Sequence, residues 1–289
     1  MSRVTFRNSR GRQLVGNLTP AAGHASRGDL TPAAGRAPAA AGRAADDRAA
    51  DDRAGVTGRP LVVMAHGFAS DRRSRGRFPL IAAALAGAGY ASLAFDFSGC
   101  GESDDDVLTI AGQVDDLHAA IAFAQSLGCE RLGLYGHSLG GRVCLRAAPP
   151  QAATIATTGA PTGPMRYDWH DYFTASQMDE LSRTGKVTMP QSGDRLRSQV
   201  VADSGLLDEL VTCDQAALLG GVRCPVLLID GDGDEEERQA LAHARQGLPL
   251  LPSGSRVELI ADSPHNLQGH LDQAIALLLD WFAEHLALR

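Results

Sequence analysis

Residues 131–150 read Arg-Leu-Gly-Leu-Tyr-Gly-His-Ser-Leu-Gly-Gly-Arg-Val-Cys-Leu-Arg-Ala-Ala-Pro-Pro. The run from Arg131 to Tyr135 has the length and apolar character of a strand. Helical periodicity follows from Leu139 and is stopped by Pro149-Pro150. Between them, Gly136-His137-Ser138-Leu139-Gly140 matches the pattern G-x-S-x-G. A serine on so sharp a strand-to-helix turn is pushed out over the end of a sheet. The turn crowds the positions two before and two after it, where glycine gives relief. The helix N-terminus behind Ser138 favours negative charge developing there. The structural alternative is an exposed serine in a glycine-rich turn. The strand before and the helix after favour an activated nucleophile.

The same rhythm extends in both directions. Leu61 to Ala65, Tyr90 to Phe95, Pro225 to Ile229 and Arg256 to Ile260 read as strands, with 154–157 a weaker one. Helical stretches are expected over 79–88, 110–127 and 267–287. Strands alternating with helices predict a mostly parallel central sheet with helices on both faces, an α/β fold. The strands are continuous apolar runs, as expected when both faces are buried. Residues 1–18 predict a β-hairpin joined to that sheet. Residues 60–159 and 222–289 form the α/β core, and 160–221, which break the rhythm, are read as a small helical lid.

Residues 19–59 differ in kind. They hold almost no large apolar side chain, and they repeat LTPAAG from Leu18 and Leu30 and AADDR from Ala44 and Ala49. Such a segment buries too little to offset its ordering entropy, so a disordered insertion in a surface loop is expected.

Composition narrows the function. The 289 residues carry a formal charge of −7, which gives no electrostatic reason to expect nucleic acid or an anionic membrane as partner. Five scattered cysteines without a C-x-x-C pair suggest neither a disulfide framework nor a zinc site. The N-terminus has no apolar signal region, and no stretch reaches membrane-spanning length. A soluble, cytoplasmic protein is expected.

These segments resemble the α/β-hydrolase family. G-H-S-L-G is similar to its nucleophile elbow, close to cinnamoyl and feruloyl esterases and to serine aminopeptidase-like hydrolases that bear a lid. His66-Gly67-Phe68 resembles the oxyanion loop. Asp96 to Ser103 resembles the glycine-rich turn after the next strand, where Asp96 and Ser103 are expected to hold the loop. Asp230-Gly231-Asp232-Gly233-Asp234 resembles the turn that carries the acid.

The resemblance implies Ser138 as nucleophile, His265 as general base and Asp234 as the acid that orients it. Asp230 and Asp232 compete for that role, and Glu235, Glu236 and Glu237 follow where the family often has apolar residues and proline. His265 follows the last strand, where the family places its base. Of the other histidines, His137 is expected to point away from the hydroxyl and His66 to support the oxyanion loop. His170, in the lid, is placed where it can touch substrate, His24 falls in the insertion, and His118, His243, His270 and His285 are expected to serve surface or packing. The backbone N–H groups of Phe68 and Leu139 are expected to form the oxyanion hole.

Tyr167, Trp169, Tyr172 and Phe173 concentrate aromatic side chains within seven residues. They either line an acyl pocket, with Trp169 and Tyr172 touching substrate, or hold the lid to the body. The expected reaction is hydrolysis of a small or medium-sized ester through an acyl-enzyme, needing no cofactor or metal. The same machinery also fits a peptidase, amidase or thioesterase, and a hydrolase-like fold can also serve as a non-catalytic binding protein.

Overall fold

The computed structural model describes residues 1–22, 55–129, 131–193 and 196–286. Most of the 19–59 segment expected to be disordered lies outside these residues. Its two described ends meet: the Ala21 N–H donates to the Gly55 carbonyl at 3.2 Å, and Ala21 and Val56 are buried.

Strands β1 (Ser2–Arg7) and β2 (Gln13–Thr19) pair antiparallel around a turn closed by the Gly11 N–H on the Asn8 carbonyl. Then come β3 (Pro60–Ala65), α1 (Arg77–Gly87), β4 (Ala91–Phe95), β5 (Val107–Leu108), α2 (Ile110–Ser126), β6 (Arg131–His137), α3 (Leu139–Ala147) and β7 (Ala152–Thr158). Four helices and two strands follow: α4 (Trp169–Tyr172), α5 (Ala175–Thr184), β8 (Lys186–Pro190), β9 (Gln199–Asp203), α6 (Ser204–Thr212) and α7 (Gln215–Leu219). The chain closes with β10 (Val226–Gly231), α8 (Glu235–Gly247), β11 (Arg256–Ile260) and α9 (Leu271–His285).

One eight-stranded sheet has the order β1-β2-β4-β3-β6-β7-β10-β11. From β4 to β11 every neighbouring pair is parallel, and the hairpin adds two antiparallel edge strands. Side chains alternate between the faces. Leu61, Val63, Phe95 and Leu134 pack with Leu117 and Ile121 of α2 and Val143 of α3. Val62, Met64, Tyr135 and Ile229 pack on the other face with Phe78 and Ile81 of α1 and Trp281 and Phe282 of α9. Each large apolar side chain buried this way contributes about 1.5–3 kcal/mol.

Helix α1 begins two residues before the expected 79, with Pro79 in its first turn, where the missing N–H is harmless. Helix α9 begins at Leu271 rather than 267, because Leu267 has φ of 59° and cannot join a right-handed helix. The lid expected to be helical also contains strands. β8 and β9 pair antiparallel, and β5 joins β9 in a separate three-stranded sheet. Among the described residues, no helix is long and apolar enough to cross a membrane.

Candidate active site

Ser138 stands between β6 and α3 with φ 55° and ψ −127°, a region that L side chains rarely adopt. The strain is held by neighbours. The Ser138 N–H donates to the Thr158 carbonyl at 2.8 Å, and the Ser138 carbonyl accepts from Gly141 at 2.9 Å. A Cβ at Gly140 would collide with the carbonyl oxygens of Ala65 and His66, and one at Gly136 with the backbone of Gly140 and Gly141. The tight turn therefore requires glycine on both sides of the serine.

His265 lies after β11 and reaches the serine: its Nε2 is 3.0 Å from Ser138 Oγ. Its other ring nitrogen, Nδ1, is 2.6 Å from Glu237 Oε1. The second oxygen of Glu237 accepts the Gly231 N–H at 2.5 Å. A hydrogen-bonded chain thus runs from a backbone amide at the end of β10 to the serine hydroxyl.

Asp234, expected on the imidazole ring, is not there. Its Oδ1 accepts the Glu237 N–H at 2.8 Å and its Oδ2 accepts the backbone N–H of His265 at 2.7 Å. Asp234 is the N-cap of α8, so its carboxylate is spent on the helix end and on the main chain of the histidine loop. Glu237 sits one turn on, and helical side chains lean back toward the N-terminus. That direction carries its carboxylate to the imidazole. Asp232 accepts the Asp262 N–H at 2.7 Å, and among the described residues no hydrogen bond or ion pair joins Asp230 or Asp232 to the ring. Burial, together with the neighbouring Glu237 charge, pushes the Asp230 carboxyl well above the usual carboxylate range.

Gly159 leaves room for this contact. With φ of 56°, it faces Glu237 Oε1 and His265 Nδ1, which a Cβ would approach to 2.5 and 2.9 Å. Burial disfavours the charged His265 ring, yet its bond to Glu237 and the charges of Glu236, Glu237 and Asp234 raise its pKa above the ordinary value. His137 lies 5.2 Å from the His265 ring centroid but bonds Thr158 through Nδ1 at 3.0 Å. Burial, with help from the Arg77 charge, holds it well below the ordinary histidine range.

His66 is buried beneath the loop that follows β3. Its Nδ1 is 2.8 Å from the Gly67 carbonyl, and its Nε2 accepts the Phe97 N–H at 3.3 Å. Among the described residues, the N–H groups of Phe68 and Leu139 have no acceptor, and both residues line the cavity above Ser138. Asp96 accepts the Arg72 N–H at 2.6 Å and the Glu102 N–H at 2.9 Å and pairs with the Arg72 guanidinium, holding the glycine-rich turn.

Two cavities meet at Ser138. The larger, about 460 Å³, is walled by Phe68, Tyr167, Trp169, Tyr172, Phe173 and Met189. Trp169 stacks on Phe173 at 5.7 Å, and Tyr172 stands at the rim, 59% exposed. His170, expected within reach of substrate, is exposed and lines neither cavity. The smaller cavity, about 220 Å³, is bounded by Arg75, Arg77, His137, His265 and Asn266. Glu236 lines both; its Oε1 accepts the Tyr167 hydroxyl at 2.6 Å and lies 3.6 Å from His265 Nε2. Neither Glu236 nor Glu237 was assigned a role from sequence. The available signal was Asp234 followed three residues later by Glu237, a pattern that marks Asp234 as a helix cap.

The alpha/beta hydrolase family matches this chain over residues 62–278, and the chain belongs to that family. It is a hydrolase. Among curated proteins it is similar to an uncharacterized 31.7 kDa protein of the traX-finO intergenic region of Escherichia coli, 38% identical over 94 residues. That match covers 31% of this chain and 32% of the relative, so only about a third of each is aligned. Among solved structures it resembles the esterase domain of a Rhodothermus marinus protein, with TM-score 0.63 and 20% identity over 98% of both chains. It also resembles Est1E from Butyrivibrio proteoclasticus with ferulic acid bound, with TM-score 0.66 and 16% identity over 99% of this chain and 100% of the other. At these identities the likeness is one of fold.

Proposed function

We propose that this chain is a hydrolase that cleaves a carboxylic ester through an acyl-enzyme on Ser138. The observation that carries the proposal is the hydrogen-bonded chain from Ser138 Oγ through His265 to Glu237. Ser138 Oγ attacks the ester carbonyl carbon while its proton passes to His265 Nε2. Glu237 fixes the ring orientation and stabilises the imidazolium that forms. The tetrahedral oxyanion accepts the N–H groups of Phe68 and Leu139. Collapse expels the alcohol, which takes the proton from His265. Water then repeats the cycle on the acyl-enzyme and releases the acid. The aromatic wall of the larger cavity suits an aromatic or medium-chain group. The esterase domain among the structural neighbours, and the aromatic acid bound by Est1E, agree with an ester substrate.

Intact-mass labelling with a fluorophosphonate tests the nucleophile. The wild type is expected to gain one adduct and Ser138→Ala none. A wild type that stays unlabelled while folded, or an adduct that persists in Ser138→Ala, rejects the proposal.

A further inference from the structure

We propose that Arg75 forms an anion-binding subsite beside Ser138, so that the favoured ester carries a second, ionised carboxylate. This rests on the serine-hydrolase proposal above.

Four arginines fall within six residues before and into α1, and three are tied. Arg72 pairs with Asp96 and Glu102. Arg73 pairs with Asp71. Arg77 donates to the Ser74 carbonyl, the Ser74 hydroxyl and the Asn266 carbonyl at 2.9–3.0 Å. Among the described residues, no hydrogen bond or ion pair engages the Arg75 guanidinium, which belongs to an exposed residue. Yet Arg75 lines both cavities that meet at the nucleophile.

Its placement is fixed by an unusual backbone. Arg75 has φ 55° and ψ 38°, and Ser74 before it has φ 46°. Two successive non-glycine residues in the left-handed region cost free energy, and such strain concentrates where a side chain must be delivered to a ligand. Glu236 lines the same two cavities, but its carboxylate holds the Tyr167 hydroxyl, and no ion pair joins it to Arg75. A guanidinium left free at the wall of a cavity has its fork available for a planar anion. The Arg75 charge also acts on His137, in line with its position against the site.

The test uses two acetate esters of equal shape, 4-acetoxybenzoate and its neutral counterpart 4-acetoxybenzamide. Wild type is expected to favour the anion in kcat/KM by about tenfold, the scale of one charge-assisted hydrogen bond. Because Arg75 is exposed, the preference shrinks with added salt. In Arg75→Gln the ratio is expected to fall toward one, with part of it kept in Arg75→Lys. A wild type without the preference, or an Arg75→Gln that keeps it, overturns the subsite. Calorimetric titration of Ser138→Ala and of the Ser138→Ala, Arg75→Gln double variant with 4-hydroxybenzoate and 4-hydroxybenzamide gives a readout that needs no turnover. Anion preference in the first and its loss in the second support the subsite; equal binding of the two compounds by Ser138→Ala rejects it. Fluorophosphonate labelling of Ser138 separately judges the hydrolase proposal, so the two failures are distinguishable.

Discussion

Glu237 and Asp234 hold one histidine at two points. Glu237 takes the ring at Nδ1 and Asp234 takes the main-chain N–H. Their removal should therefore read out differently. Only a neutral imidazole accepts the serine proton, so kcat/KM is expected to rise with pH. The raised His265 pKa places that acid limb above about pH 6.5, the ordinary histidine value. Glu237→Gln removes a negative charge and leaves one acceptor oxygen where Glu237 uses two, so the amide NH2 faces the ring or the Gly231 N–H and the limb should move to lower pH. Its kcat should fall by roughly 10²–10⁴, the range set by a misoriented base. Asp234→Asn keeps a cap acceptor, so its limb should move less and its kcat should fall by less than about tenfold. A pH-rate profile of both variants decides: a limb unmoved in Glu237→Gln but shifted in Asp234→Asn returns the acid to Asp234. That Ser138 and His265 would meet was legible in sequence because each is marked by its place after a strand. Which carboxylate meets the ring was not, since position after β10 names a turn, whereas the contact is set by which way a helical side chain leans.

At the scale of elements, one buried side chain ties down the segment between β7 and β10 at three points. Arg142 on α3 is fully buried. It donates to the carbonyls of Pro161 at 2.8 Å, Gly163 at 3.1 Å and Glu209 at 2.8 Å. The helix that follows Ser138 thereby grips the start of the segment and α6 within it. Arg142→Met should cost about 2–5 kcal/mol, because three carbonyls lose their donor in a buried place. Urea titration checks the loss, and a change within about 0.5 kcal/mol would show that the grip is idle. The strands of this segment were hidden in the sequence. β8 and β9 have only five residues each, and Pro190 closes the first. Their third partner, β5, is two residues long and pairs with β9 across 94 positions, Val107 opposite Val201, too short to announce itself. The parallel strands were legible because burial on both faces writes uninterrupted apolar runs.

At the scale of the molecule, the largest fully buried side chain lies on the face covered by α1 and α9. Trp281 is fully buried, donates its indole N–H to Thr154 Oγ1 at 2.7 Å, and lies under the Arg256 guanidinium at 4.8 Å. Trp281→Ala should destabilise by about 3–5 kcal/mol, the usual cost of emptying a large aromatic site. Chemical denaturation followed by circular dichroism measures it, and a cost below about 1 kcal/mol would mean that α9 is dispensable to the core. The sheet order itself was beyond sequence reading, because every parallel strand presents the same apolar face to any neighbour. The contact between Ala21 and Gly55 has a consequence of another kind. With the described ends already joined, the entropic cost of the connection grows only slowly with its length. That length is free to drift over evolutionary time, while the hairpin before it and β3 after it keep their seats in the sheet.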